Sequence, residues 1–178
     1  MRSTEQLKEE HKAIKLMLKI LESICKRLEN NQEIPKEHFE ETLEFIKVFA
    51  DKCHHGKEED LLFPAMEKAG VPREGGPISV MLMEHNMGRD YVKGMSESVI
   101  SRDFNKFMEN ARGYIKLLNQ HIDKEDNILY VMADMHIQES EQEELLRRFE
   151  KLERERIGPG KHEELHKLLH RLEEVYLG

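Results

Sequence analysis

Two stretches of the chain share one pattern. Residues 54–63 read HHGKEEDLLF and residues 121–130 read HIDKEDNILY, and the two align without a gap. Both fit the form H-x-x-K-E-[ED]-[DN]-[LI]-L-[FY], in which a glutamate follows the first histidine by four residues. On a helix that step places the imidazole and the carboxylate on one face, one turn apart. The repeat predicts two related helices that each present a histidine and a glutamate.

A second pair of matched histidines precedes these two copies. Glu10-His11 lies before the first copy, and Glu84-His85 lies before the second. The two repeat histidines are 67 residues apart and the two preceding histidines are 74 residues apart. The difference is about two helical turns, so both pairs can keep the same helix face. The chain is therefore predicted to consist of two related helical hairpins.

The rest of the sequence predicts helices and no strands. Apolar residues recur at steps of three and four, whereas the alternation typical of a strand never persists. Four long helices are expected to end near residues 29, 68, 100 and 135, with Pro64 kinking the second one. Gly158-Pro159-Gly160 separates two further, highly charged helices.

These elements predict an all-α fold, an up-down-up-down four-helix bundle with a C-terminal helical extension. Residues 1–137 are assigned to the bundle. Residues 138–178 are assigned to the extension, which is expected to pack on the bundle or on a partner. The length of 178 residues suits one domain with such an appendage.

The turn positions place four histidines at one level of this bundle. Two residues of an antiparallel hairpin face each other when the turn lies midway between them. The midpoints between successive histidines of the set fall at 32.5, 69.5 and 103, inside the three predicted turns. The set consists of His11, His54, His85 and His121.

Two carboxylates accompany these histidines, since Glu58 and Glu125 lie one turn beyond His54 and His121. Buried carboxylates are costly unless a cation compensates them. Mixed imidazole and carboxylate ligands suit iron, manganese or zinc, and six such ligands allow two metal ions. The spacing therefore predicts a metal site in the bundle core.

Over roughly residues 5 to 135, the sequence resembles the haemerythrin-like, HHE cation-binding domain family. The motifs that carry the resemblance are EHKAI at 10–14, HxxKEExxLFP at 54–64, EHNxGR at 84–89 and HxxKED at 121–126. The resemblance implies two iron ions (Fe2+/Fe3+) bridged by an oxo or hydroxo group or by water. The implied ligands are His11 and His54 for one iron, His85 and His121 for the other, and Glu58 and Glu125 as bridges.

The sequence departs from the oxygen-carrying members of that family in two places. Those proteins have a fifth histidine four residues after the one matching His85, where this chain has Arg89. Their last carboxylate is an aspartate at the position of Asp126, whereas the internal repeat favours Glu125. Each iron would then have about five ligands, one fewer than an octahedral site. An open position on each metal favours chemistry on a small molecule.

The resemblance is to the four-histidine branch, which includes bacterial di-iron proteins linked to stress response and to repair of iron-sulfur centres. The implied function is to bind, sense or reduce dioxygen, peroxide or nitric oxide. Whether turnover occurs is left open. The alternatives are a non-catalytic sensor, or an iron-handling protein, that acts through a partner.

The composition of the chain argues against several other classes of protein. The chain has 28 basic and 36 acidic residues, and this net charge of −8 argues against nucleic acid as a partner. The longest uncharged stretch, residues 75–83, is too short to cross a membrane. With two cysteines and no apolar leader, a cytoplasmic location is expected. A protein partner or a second copy of the chain would dock on the charged C-terminal helices.

Three weaker signals remain. His162-Glu163-Glu164-Leu165-His166 matches the helix of zinc peptidases, which makes that activity a remote alternative; the same stripe could instead fold over the bundle as a further ligand or proton relay. His55 points about 100° away from His54 on an α-helix and is assigned to a position behind the ligands or to the surface, and His38 and His136 are assigned to the surface. Glu10 and Glu84 are assigned to a solvated face, with the lining of an access route as the alternative.

Overall fold

The computed structural model describes all 178 residues, Met1–Gly178, as six helices without a strand, which confirms the all-α prediction. Every helix is either too short or too polar to cross a lipid bilayer. The helices are α1 (Ser3–Glu29), α2 (residues 36–68), α3 (Pro77–Ser101), α4 (residues 104–136), α5 (Glu139–Ile157) and α6 (Lys161–Leu177).

Both α2 and α4 change their winding at the repeated motif. In α2, π-helical segments Phe45–His55 and Glu58–Leu62 separate the α-helical ends Lys36–Glu44 and Phe63–Lys68. In α4, the π-helical segment Glu125–Leu129 connects Phe104–Lys124 to Tyr130–His136. Both copies of the motif therefore have a π-helical segment that starts at the glutamate, and in α2 an earlier π-helical segment already includes His54 and His55. Such π segments within α-helices are frequent at functional sites.

Pro64 lies at the start of the last α-helical segment of α2, directly after a π-helical segment. The helix continues through it, and the amide donor that proline lacks falls at the change from π to α winding. The equivalent residue of the second copy is Val131, and the same π segment occurs there. The proline is therefore compatible with the wide turn but is not its cause.

The four histidines of the bundle lie between two apolar clusters. The larger cluster packs α1 residues 13–25 against residues 39–50 of α2 and residues from α3 and α4. The smaller cluster contains Leu7, residues 61–66 and residues 129–137. On α1, α2 and α3 the histidine comes between residues of one cluster and residues of the other, and on α4 His121 lies at the end of the larger cluster, beside Ile122. A polar layer therefore crosses the middle of an otherwise apolar bundle.

The two C-terminal helices pack against the bundle and complete both clusters. The apolar face of α6 joins the larger cluster beside α1 and α2, with Leu165, Leu169 and Leu172 buried. The apolar face of α5 joins the smaller cluster, where Phe149 is fully buried. Burying a side chain of this size contributes about 1.5–3 kcal/mol to the free energy of folding. The extension therefore stabilises the same apolar clusters as the four helices of the bundle.

Candidate metal centre

All six residues singled out by the sequence meet in the polar layer. The four histidines are each 2% exposed or less, and Glu58 and Glu125 are fully buried. Two groups form, and within each group the potential ligand atoms lie within 4.8 Å of one another. One group is His11, His54 and Glu125, and the other is His55, Glu58, His85 and His121.

Each carboxylate lies between histidines of different groups. Glu58 Oε1 is 3.6 Å from His54 Nε2 and 3.4 Å from His85 Nε2. Glu125 Oε1 is 3.2 Å from Nε2 of both His11 and His121. Nε2 of His85 is also only 3.2 Å from Nε2 of His121. The Nε2 atoms and the carboxylate oxygens therefore converge on one small volume.

The outward-facing Nδ1 atom of each of the four histidines meets a carboxylate. An ionised carboxylate can only accept a hydrogen bond, so Nδ1 carries the proton and Nε2 is left as the atom that can bind a metal. Histidine ligands of metals are characteristically held in this way. The pairs are His11 with Asp126 (2.7 Å), His54 with Glu10 (2.9 Å), His85 with Glu59 (2.7 Å) and His121 with Glu84 (3.0 Å).

Glu10 and Glu84 are both buried, so their assignment to a solvated face was wrong. Each projects sideways from its own helix to the histidine of a neighbouring helix. Each also accepts a 2.6 Å hydrogen bond from a lysine of the repeat, Lys57 for Glu10 and Lys124 for Glu84. Burial opposes ionisation of Glu10, but His54 and Lys57 outweigh it and hold its pKa at about 2. The internal repeat of the sequence thus extends to the residues that orient the histidines.

Three buried atoms of the centre have no hydrogen-bond partner: His54 Nε2, Glu58 Oε1 and Glu125 Oε2. Buried polar atoms are nearly always satisfied, because each unpaired one costs about 1–3 kcal/mol. These three belong to the potential ligands, and a cation among them would satisfy all three. The residues present therefore fit a metal ion.

Three histidines of the centre, His11, His85 and His121, have raised pKa values and favour positive charge. Burial alone would lower the pKa of His11, but hydrogen bonds to Asp126 and Glu125 outweigh it and raise the pKa to about 9. Glu58 and Glu59 likewise raise the pKa of His85 to about 9 against the effect of burial. In the metal-free protein, protons bound to these histidines compensate the negative charge of the neighbouring carboxylates. A metal ion must displace those protons to bind.

This protonation predicts how the stability of the metal-free protein depends on pH. A histidine of ordinary pKa, 6.5, whose pKa rises to about 9 on folding stabilises the protein fully below pH 6.5. That stability is lost as the pH rises through about 9. In the presence of a chelator, we expect the Tm to fall by roughly 3 °C or more between pH 6.5 and pH 9.5. Thermal melts followed by circular dichroism measure this, and a constant Tm would contradict it.

Two residues that the sequence analysis did not select also face the centre. The Tyr130 hydroxyl donates a 2.8 Å hydrogen bond to Glu58 Oε2 and lies 3.2 Å from His11 Nε2. The repeat contains a signal for it, because the equivalent residue of the first copy is Phe63 and the two differ by that hydroxyl. The rings remain symmetric, since Tyr130 stacks near His11 and Phe63 near His85.

The second residue is His55, which is buried beside His85 and therefore does not lie on the surface. It is 5% exposed, and its ring stacks on that of His85 with 3.9 Å between centroids. The helical step turns His55 away from His54, but it turns it toward α3, where His85 packs on its ring and buries it. His38 is half-buried and bonds to Tyr176, whereas His136 is exposed.

The histidine stripe of α6 lies over the bundle but not in the centre. The rings of His162 and His166 contact Phe49 of α2, and Glu163 faces solvent. His162 Nε2 is 3.9 Å from Glu153, whose carboxylate accepts a 3.1 Å hydrogen bond from Lys57. The two histidines both pack on the Phe49 ring, and no group of potential metal ligands contains both of them, so the geometry gives the zinc-peptidase alternative no support.

Comparison with known proteins agrees with this geometry. Residues 2–133 match the family model described as the Hemerythrin HHE cation binding domain. Uncharacterized proteins of Mycobacterium bovis and of two Mycobacterium tuberculosis strains are 25% identical over 160 residues, which is 86% of this chain. The chain spans 62% of the length of these relatives. No solved structure matches it significantly. The chain therefore belongs to the hemerythrin HHE cation-binding family, and its buried histidines and glutamates are able to hold a metal ion.

Proposed function

We propose that the chain is a non-haem di-iron protein that binds, senses or reduces a small ligand such as dioxygen, peroxide or nitric oxide. The observation that carries this proposal is the position of Glu58 and Glu125, each between histidines of the two groups. Carboxylates shared in this way support two metal ions in one site, because each can serve both ions. Response to oxidative or nitrosative stress, including repair of iron-sulfur centres, is the setting that this chemistry suits.

The donor set supports iron as the metal. All the potential ligand atoms are imidazole nitrogens and carboxylate oxygens, which suit redox-active iron as well as manganese or zinc. The thiol of Cys53 turns away and donates to Glu153 at 3.5 Å. Iron is preferred among these metals because of the family to which the chain belongs. His11 and His54 would hold one ion, His85 and His121 the other.

The last bridging ligand in this proposal is Glu125, with Asp126 in a supporting role. Glu125 is fully buried and contacts one histidine of each group. Asp126 is partly exposed and accepts from His11 Nδ1, the nitrogen that faces away from the centre. A carboxylate in that position orients the imidazole and strengthens it as a ligand.

Two bound irons would supply electron transfer and Lewis acidity to a small ligand. The chain's own contribution is to keep the site dry and the histidines fixed. The two apolar clusters enclose the polar layer from both sides, and the Nδ1 carboxylates hold the four imidazoles in orientation. The Tyr130 hydroxyl lies beside His11 and donates its one hydrogen bond to Glu58, which helps to fix that carboxylate.

One observation favours a sensor as the second candidate. A continuous set of polar contacts leads from the centre to the C-terminal helices, through His54 Nδ1, Glu10, Lys57 and Glu153 of α5. Lys57 is only 1% exposed although it is a lysine. A change of charge at the metals would alter the interactions along this set, and the packing of α5 could report it to a partner or to a second copy of the chain.

Anaerobic metal loading followed by reaction with the ligand tests the first candidate. We expect about two irons per chain by metal analysis, and continued consumption of peroxide or nitric oxide over many turnovers when a reductant is supplied. One stoichiometric burst and no further consumption would contradict catalysis and favour the sensor. Zinc alone, retained in His54→Ala but lost in His162→Ala, would contradict the di-iron proposal.

Limited proteolysis tests the sensor. If α5 reports the state of the metals, oxidation of the bound iron should change the rate at which the connection between α5 and α6 is cut. Glu153→Gln should abolish this change without lowering the iron content, because Glu153 contacts Lys57 and none of the proposed ligands. Glu155→Gln, on the exposed face of the same helix, is the matched control and should behave as the wild type.

A further inference from the structure

His55 has the surroundings of a ligand, although it is not one of the four matched histidines. Its side chain is buried, and one of its ring nitrogens lies within 4.8 Å of potential ligand atoms of Glu58, His85 and His121. Its Nδ1 faces Asp51 Oδ1 at 3.2 Å. It therefore repeats the arrangement of the other four histidines, in which Nδ1 donates to a carboxylate and Nε2 remains to bind a metal.

The carboxylate that holds His55 is itself held by Arg89. The Arg89 guanidinium donates to Asp51 Oδ1 at 3.0 Å and to Glu59 Oε2 at 2.6 Å. Glu59 in turn orients His85. Arg89 occupies the position that would carry a histidine one turn beyond His85. Arg89 therefore orients the imidazoles of His55 and His85 through their carboxylates. It does not supply a ligand of its own.

The internal repeat shows that this feature belongs to only one half of the centre. The residue equivalent to His55 in the second copy is Ile122, a buried apolar side chain. The two halves therefore match in their histidines, glutamates and Nδ1 carboxylates, and differ at this position. An added imidazole on one side would give the two metal ions different numbers of ligands.

We propose that His55 is a fifth histidine ligand, carried on α2, that binds the same metal ion as His85 and His121 through Nε2. This inference rests on the proposed di-iron function and assigns a role to each ion. The ion of His85 and His121 gains a third imidazole and has no open position, while the ion of His11 and His54 keeps one. Small ligands then bind to the ion of His11 and His54, on the side of the Tyr130 hydroxyl.

The position of His55 also provides a direct way to test it. A cleft of about 320 Å³ between α2 and α3 is lined by His55, His85 and Arg89 and opens to solvent. Removing the His55 side chain would connect this cleft to the metal. Free imidazole could then enter from solvent and replace the missing ring.

The experiment measures ferrous iron binding under anaerobic conditions, by competition with a chelator, in wild type, His55→Ala, His55→Gln and Asp51→Asn. In both His55 variants we expect one iron to bind as in wild type and the second to bind about 10–100-fold more weakly. Asp51→Asn should show the same loss to a smaller extent. Millimolar imidazole should restore the second iron to His55→Ala, whereas pyrrole, a ring of the same size without a free nitrogen lone pair, should not.

The control is His136→Ala, because His136 is exposed and bonds only to the backbone of its own helix. Unchanged affinity for both irons in the two His55 variants would overturn the proposal. So would rescue by pyrrole as efficient as rescue by imidazole, since that outcome assigns His55 a packing role against His85. Failure of the wild type itself to bind two irons would instead contradict the proposed function. Circular dichroism of the metal-free variants shows that each is folded.

Discussion

Glu58→Ala and Glu125→Ala, made singly, are each expected to reduce bound iron from about two per chain to one or fewer. Each carboxylate lies between histidines of the two groups, so its loss removes a ligand from both metal ions at once. The remaining histidines would also lose the negative charge that compensates a buried dication. Metal analysis after anaerobic loading and desalting measures the result, and two irons retained in either variant would contradict the shared role.

Glu59→Gln is the matched control for these two variants. Glu59 is adjacent to Glu58 but contacts His85 through Nδ1 and not through the inward-facing nitrogen. Its replacement should weaken iron binding by about 10–100-fold, as expected when a supporting hydrogen bond is lost, and two irons should still bind at saturating metal. An effect as large as that of Glu58→Ala would mean that the two glutamates are not distinguished as proposed.

Phe149→Ala is expected to have the largest effect on stability. Phe149 is fully buried on α5 in the smaller apolar cluster, and the ammonium of Lys57 lies 5.9 Å from its ring centroid. Deleting a buried aromatic ring costs about 3–5 kcal/mol. In a protein of this size that cost lowers the Tm by roughly 6–20 °C. Thermal unfolding of the metal-free protein provides the measurement.

The same melts report on the C-terminal extension. If α5 and α6 are part of the folding unit of the bundle, Phe149→Ala should shift one cooperative transition. Leu177→Ala, a half-exposed apolar residue at the end of α6, is the control and should change the Tm little. An unchanged Tm in Phe149→Ala, or a separate early transition, would show that the extension is only loosely docked.

The sequence predicted the convergence of the four histidines because two constraints are encoded in it. The internal repeat sets the helix face, and the turn midpoints set the level along the bundle. Helical periodicity then suffices to bring His11, His54, His85 and His121 together. The helices α5 and α6 were predicted as a charged extension that packs on the bundle or on a partner. An apolar stripe does not identify the surface that it covers, so their packing on α1 and α2 required the structure.

The residues around the histidines could not be found in this way, for one physical reason. Glu10 and Glu84 project sideways from their own helices, and a helical wheel does not show that a neighbouring helix brings a histidine to meet them. His55 also points sideways from His54, and the wheel does not show that His85 of α3 packs on its ring there. Tyr130 is the exception, because its difference from Phe63 within the repeat was visible in the sequence.

The central claim, that two irons share one site in each chain, is tested most directly by Mössbauer and EPR spectroscopy of protein loaded with isotopically enriched iron and then oxidised in air. We predict that nearly all the iron is ferric, magnetically coupled in pairs and silent in EPR, with two irons per chain. Bound iron that instead gives the EPR signal of isolated high-spin ferric ions, at one per chain, would contradict the account.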